Sequence, residues 1–280
     1  MNLRVACVQM NAKPDLAANL DAAEHWAKEA ARAGAGLIAT PENTSGMYER
    51  RAALLAAALP EEGHPALTRF AALARETGAW LLLGSLSIKI AAERLANRGF
   101  LFAPSGEIAA RYDKIHMFDA DPQDGKSYRE SATFEAGDRA VVADSPFGRI
   151  GLSICYDVRF PALYAALARA GAAIVTVPAA FTVPTGKAHW HVLLRARAIE
   201  TGAFVVAPAQ TGLHDGGRPT FGHSLIVSPW GEILADGGEA EGIVLAECDL
   251  DKVAEARRMI RSLRHARPFA PALDGNPAFA

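Results

Sequence analysis

Short apolar blocks alternate with longer Ala-rich stretches of helical period through most of the chain, which predicts strands and helices in close succession. The blocks predict strands over 3–9, 36–40, 80–87, 98–103, 107–113, 149–155, 173–177, 204–207, 223–228 and 243–248. Several are runs of Val, Ile and Leu without polar alternation, so both faces are covered or the strands lie between two sheets. The periodic stretches predict helices over 15–33, 48–58, 65–77, 161–170, 188–200 and 250–262. Gly34, Gly78, Gly171 and Gly202 stand where a left-handed cap is wanted, and Pro65 and Pro161 suit a first helical turn. Pro104-Ser105-Gly106 and Ser228-Pro229-Trp230-Gly231 read as hairpin turns.

The elements interleave without a repeat, a linker or a break in composition, so one α/β domain over residues 1–267 is expected rather than two. Residues 268–280 form a Pro-rich apolar tail whose Phe269 and Leu273 would prefer a partner surface. Composition adds exclusions. With 50% hydrophobic and 21% charged residues among 280, the chain supports a full core and disorder is not its main state. Its 29 Lys and Arg against 31 Asp and Glu leave a formal charge of -2 and no charged tail, so charge points to neither nucleic acid nor an anionic membrane. No segment approaches the ~20 apolar residues of a membrane span, and Pro14 arrives before a signal-like run accumulates. Cys7, Cys155 and Cys248 are odd in number and far apart, so neither a disulfide framework nor a CxxC pair is available, and a reduced, cytoplasmic setting is expected.

Candidate chemistry gathers at three strand ends. Cys155 closes the predicted strand 149–155 and precedes a helix, a position at the carboxyl edge of the sheet where open α/β sheets bind ligands. There the positive end of the helix would favour thiolate. A lone thiol in an apolar strand is ordinarily a small buried hydrophobe, and that reading stands beside the nucleophile; Cys7 and Cys248, which have no such turn, keep it alone. Lys114 and Glu42 each follow a strand, and singly each reads as a solvated rim charge. Together with Cys155 they would supply a nucleophile, a cation for an oxyanion and a carboxylate to take the thiol proton.

Pro41-Glu42-Asn43, Tyr112-Asp113-Lys114-Ile115-His116-Met117-Phe118-Asp119 and Gly151-Leu152-Ser153-Ile154-Cys155-Tyr156-Asp157-Val158-Arg159-Phe160-Pro161 resemble, in order and spacing, the three signature blocks of the carbon-nitrogen hydrolase, or nitrilase, superfamily. The resemblance covers residue 3 to about 269, including Ala188-His189-Trp190 and Phe221-Gly222-His223-Ser224. It implies a four-layer αββα sandwich with Glu42 as general base, Lys114 as oxyanion stabiliser, Cys155 as nucleophile and Glu130 orienting the lysine. It also implies a backbone N–H of Tyr156 in the oxyanion site, no cofactor, and a homodimer with the tail crossing to the partner. Cys155-Tyr156-Asp157 differs from the Cys-Trp-Glu of a nitrilase proper, and only Asp157, Arg159 and Pro161 match the carbamoyl hydrolase string. The block is instead similar to the small amidases of 2-oxo acid amides, the deaminated glutathione amidase and ω-amidase branch, with the segments from Thr185, Arg195 and Ala209 closer to the former. A noncatalytic member of the fold is the reading from another class, and the intact Glu42, Lys114 and Cys155 argue against it.

Arg159 is a candidate for binding a substrate carboxylate, since a guanidinium fork matches it with two hydrogen bonds; a structural ion pair with Asp157 or another rim acid is the alternative. Ala162 stands where the family commonly has Glu. Asp119 to Glu130 partly mimics a calcium loop, but its Gly125 is one place late and Pro122 interrupts it, so a loop presenting Glu130 is expected instead. His189 and His191 point in different directions on a helix, and His214 and His223 belong to no ligand spacing, so no metal is implied. Gly222-His223-Ser224 lacks the closing glycine of a serine elbow, and Arg197 and Glu200 read as scaffold.

Overall fold

The computed structural model describes residues 1–269 apart from 123, 124 and 126. Its core is two facing sheets. The first runs Gly242–Asp249, Asn2–Gln9, Leu37–Ala39, Trp80–Ala91, Arg94–Phe102, Ile108–Asp113, with Phe134–Glu135 paired to Arg94–Phe102. The second runs Ile233–Asp236, Leu225–Val227, Phe204–Ala207, Ala172–Thr176, Arg149–Leu152, Val141–Ala143. Each has a parallel centre of three strands and antiparallel edges.

The pleat sorts side chains between layers. In Asn2–Gln9, Val5 and Cys7 face the second sheet while Ala6 and Val8 face the helices Leu16–Arg32 and Pro65–Thr77. Those helices bury Leu20, Ala23, Ala27 and Ala30, and Ala66, Phe70, Leu73 and Ala74, at three- and four-residue spacing. The small alanines let backbone approach backbone. Asp15 Oδ1 accepts from Ala18 N at 3.1 Å and His64 Nδ1 from Ala66 N at 3.1 Å, capping their N-termini. Pro161–Arg169 and His191–Thr201 cover the outer face of the second sheet, completing the expected αββα order in one domain.

Several boundaries differ from the sequence pattern for local reasons. The strand predicted over 149–155 ends at Leu152, and Cys155 opens a tight 3-10 turn, Cys155–Arg159. The helix predicted over 48–58 shortens to Arg51–Ala57: the amide of buried Met47 bonds the Lys13 carbonyl, and Arg50, just before the helix, is extended. The helix predicted over 188–200 starts with a π turn, Gly186–Trp190, whose buried Trp190 donates from Nε1 to the His223 carbonyl at 2.8 Å. The hairpin of Thr211–Leu213 with Pro219–Phe221 and the edge strand Val141–Ala143 have no counterpart in the pattern, whereas Ile233–Asp236 is the second arm of the hairpin read at 228–231. Cys7 and Cys248 are buried within the first sheet. The tail lies mostly outside the described residues. Among those described, no helix is long and apolar enough to cross a membrane.

Candidate active site

Glu42 follows the short strand Leu37–Ala39 on a turn fixed by threonines: Thr44 Oγ1 bonds the Pro41 carbonyl at 2.6 Å and Thr40 Oγ1 at 2.8 Å. The turn aims the carboxylate inward, where it is 4% exposed. Its Oε1 accepts from Lys114 Nζ at 3.1 Å and Asn97 Nδ2 at 2.9 Å, and its Oε2 from the Ala180 amide at 2.9 Å. Lys114 leaves Ile108–Asp113 and is itself 2% exposed. Its ammonium also donates to Glu130 Oε1 and Oε2 at 2.9 and 2.7 Å, so two carboxylates hold one cation. Glu130 comes from a 3-10 turn and is further fixed by the Phe118 amide at 2.6 Å.

Cys155 has φ of 49°, a left-handed conformation that a non-glycine residue rarely adopts without outside support. That support is its amide bond to the Pro178 carbonyl at 2.9 Å and the buried Asp157 two residues on, whose Oδ2 accepts from the Ile154 amide at 2.9 Å. The thiol lines the same cavity and lies close enough to Glu42 and Lys114 for their charges to act on it. Glu42, Lys114, Glu130 and Cys155, assigned to three strand ends and a loop, are thus one contact cluster.

The electrostatics correct one expectation. Burial, reinforced by the negative Glu42, pushes the Cys155 thiol pKa well up, and Lys114 only partly offsets this. Whatever favour the helix end lends to thiolate is outweighed by burial in a cluster that, without the thiol, holds two carboxylates and one ammonium. Burial also works against an ionised Glu42, but Lys114's charge, with the Cys155 thiol and hydrogen bonds from Lys114 and Asn97, pulls its pKa below the ordinary carboxylate value. Lys114, despite its burial, is held charged by Glu130 and Glu42. The resting state is a neutral thiol facing an ionised base.

The cluster floors a cavity of about 680 Å³, whose walls include Tyr156, Arg159 and Arg218. Arg159 is not paired with Asp157; its guanidinium carbon lies 5.8 Å from the Tyr156 ring and 5.5 Å from that of Phe181, with Nη1 3.3 Å from His189 Nδ1. Asp157 instead bonds Tyr112, His116 and Ile154. The acids of the calcium-like loop are committed to protein partners: Asp119 to Ser131, Asp121 to Ser127 and Arg129, and Glu130 to Lys114. Part of that loop lies outside the described residues. Arg197, buried, donates from Nε to the Val158 carbonyl at 2.8 Å and pairs with Glu200, a scaffold role. Three contributors escaped the sequence reading: Asn97, the Ala180 amide and Arg218. So did a surface trio outside the cavity, in which Asp236 bonds His191 Nε2 at 3.0 Å and His223 Nδ1 at 2.9 Å; these groups lie close enough to hold a metal ion.

The family model for carbon-nitrogen hydrolases matches residues 4–258. A Synechocystis protein curated as deaminated glutathione amidase is 44% identical over 265 residues, covering 93% of this chain and 96% of that one. The human protein of the same name is 39% identical over 269 residues, covering 94% and 82%. Among solved structures, the C. elegans NitFhit protein superposes with a TM-score of 0.89 at 36% identity; the match covers 95% of this chain, which spans 65% of the worm protein's length. Nit3 of Saccharomyces cerevisiae, a branch 10 member of the nitrilase superfamily, gives 0.84 at 28% identity, covering 92% of this chain and 94% of that one.

Proposed function

The chain belongs to the carbon-nitrogen hydrolase family, and from that premise we propose that its thiol site cleaves the amide bond of a small carboxylate-bearing 2-oxo acid amide, deaminated glutathione or a close relative. The activity is hydrolysis of a non-peptide C–N bond through a cysteine. The observation that supports these residues as its agents is the single buried cluster of Cys155, Glu42, Lys114 and Glu130.

The steps follow from the charges. Glu42 takes the proton from Cys155 Sγ as the sulfur attacks the amide carbon, and the carbonyl electron pair moves to oxygen. Lys114 Nζ and the Tyr156 backbone N–H hold that oxyanion, each such donor contributing ~10²–10³-fold. The oxyanion collapses, the C–N bond breaks, and Glu42 passes its proton to the departing nitrogen. The thioester then accepts a water deprotonated by Glu42, and acid and thiol are released. General-base assistance contributes ~10²–10⁴-fold, and two low barriers replace one high barrier. Glu130 keeps Lys114 charged and in place.

Three unpaired cysteines suit a cytoplasmic setting, and the exposed Val192, Ile199 and Trp230 would serve a homodimer contact, which size-exclusion chromatography tests. The function itself is tested by ammonia or amine release from 2-oxo acid amides, a carbamoyl amino acid and a nitrile. The 2-oxo acid amides should be preferred, and Cys155→Ala should be inactive. A nitrile preference overturns the substrate class, and parental rates in Cys155→Ala overturn the residue roles.

A further inference from the structure

Arg218 lies just before Pro219–Phe221, half-buried, and is unlike the chain's surface arginines. Its Nη2 donates to the Ala180 carbonyl at 3.0 Å, its guanidinium carbon sits 5.1 Å from the Tyr128 ring, and its Nε is buried with no hydrogen-bond partner. Among the described residues, neither Arg218 nor Arg159 has a carboxylate oxygen within 4.0 Å, although the other arginines lining the cavity, Arg51 and Arg129, do. Two guanidinium groups partly removed from water without a counter-charge are costly unless a ligand supplies it.

The two are joined by an aromatic arc. Arg218 covers Tyr128, Tyr128 meets Phe118 at 5.2 Å, Phe118 meets Tyr156 at 5.1 Å, and Arg159 covers Tyr156. Consecutive residues close the ring on the other side, Ala180 bonded to Arg218 and Phe181 beneath Arg159. The ring thus carries a cation at each of two separate places around one cavity.

Ala180 links Arg218 to the base. Its amide bonds Glu42 Oε2 at 2.9 Å while its carbonyl bonds Arg218. Glu42 is the group that returns a proton to the departing nitrogen, so Arg218 stands on the leaving side. Arg159, in the turn that begins with Cys155, stands on the acyl side. We propose that Arg218 binds a carboxylate on the amine half of the substrate, and that the site selects amides bearing an anion on each side of the scissile bond. This rests on the amidase reading above.

The test uses two 2-oxo acid amides that differ only in the amine half, glycine against glycinamide. The parent should favour the glycine amide by about 10- to 100-fold in kcat/KM, mostly through KM, as a charged hydrogen-bond pair would give. Arg218→Ala should collapse that ratio towards one, Arg218→Lys should keep part of it, and Arg159→Ala should retain it. A ratio unchanged in Arg218→Ala, or absent in the parent, overturns the assignment. Should the variants not fold, inhibition of the parent by glycylglycine against glycylglycinamide decides: tighter binding of the carboxylate supports the subsite, and equal inhibition overturns it. Turnover of both amides without preference removes Arg218 alone, whereas no turnover of any amide removes the amidase reading as well.

Discussion

The hydroxyl of Tyr112 donates a 2.7 Å hydrogen bond to Asp157 Oδ2, and both residues are buried. Tyr112 lies on the first sheet two residues before Lys114, and Asp157 lies two residues after Cys155 in the 3-10 turn that follows Arg149–Leu152 of the second. This bond ties the cation to the thiol across the sandwich. His116 strengthens the tie, its amide 3.0 Å and its Nδ1 2.7 Å from Asp157 Oδ1.

Tyr112→Phe therefore leaves a buried carboxylate short of a donor and should destabilise the fold by about 1–3 kcal/mol. Asp157→Ala strips the turn of its anchor, strands several donors and should cost about 3–5 kcal/mol. Urea denaturation measures both. Equal stability of Tyr112→Phe and the parent would show that the bond does not tension the site.

Asn97 gives a pH prediction. Its Nδ2 donates to Glu42 Oε1 at 2.9 Å and to Glu130 Oε1 at 3.2 Å. Burial raises the Glu42 pKa, and the net lowering depends on Lys114, on Cys155 and on this amide. Asn97→Ala removes one lowering contribution, so the Glu42 pKa rises. A base works only when deprotonated, so the acid limb of kcat/KM should move to higher pH. The rate at neutral pH, where Glu42 stays ionised, should fall by less than about tenfold, far short of the ~10²–10⁴ that general-base assistance contributes. Superimposable pH profiles would remove Asn97 from the base's environment.

Why Asn97 was invisible in the sequence and Glu42 was not is a matter of position. Glu42, Lys114 and Cys155 each follow a strand, where chain direction alone brings side chains to one sheet edge. Asn97 lies inside Arg94–Phe102, and a polar residue there reads like any other until the facing side chains are known. Arg218 belongs to a hairpin of three-residue strands, too short to show a period, and the Ala180 amide has no side-chain signature at all. His223 lacked any ligand spacing because its partners His191 and Asp236 arrive from other elements. The thiol's charge state was misjudged for a similar reason: Lys114 and the turn are legible locally, while burial belongs to the assembled fold.

Stability should fall on the acid side of neutrality, partly through His214. Its Nδ1 faces the Ala12 carbonyl at 2.9 Å and its Nε2 the Thr220 hydroxyl at 2.7 Å, which fits a neutral ring donating from Nδ1. Burial pushes its pKa below the ordinary value, more than the Ala12 bond raises it. Between about pH 6.5, the unfolded value, and the lower folded one, the unfolded chain binds the extra proton. Stability is therefore full above that window and lost as pH falls through it. His64, also lowered by burial, adds to the slope. His214→Gln should flatten the decline of melting temperature with falling pH without abolishing it, and an identical slope would exclude His214 as a contributor.

The closest backbone packing beneath the site gives the last prediction. Gly84 interrupts the register of Trp80–Ala91 against Arg94–Phe102, and a Cβ there would lie 2.1 Å from the Thr40 carbonyl oxygen and 2.4 Å from that of Pro41. Neither is a flexible side-chain end, so Gly84→Ala must push back the segment that leads into Glu42. The Gly84 amide also bonds Thr40 Oγ1 at 3.1 Å, and Thr40 in turn receives the Thr44 hydroxyl, so the displacement reaches the whole turn. Overpacking of this kind costs about 1–3 kcal/mol, and a shift of about 1 Å in a positioned base costs about 10²-fold in rate. Gly63 is the matched control: its φ of 71° strains an alanine, but nothing lies within 4 Å of the new Cβ. Gly63→Ala should lose about 1–2 kcal/mol of stability while keeping the parental kcat. Gly84→Ala should lose both, as thermal melting and amide turnover would measure. A Gly84→Ala protein with the parental kcat would mean that the position of Glu42 does not depend on this contact.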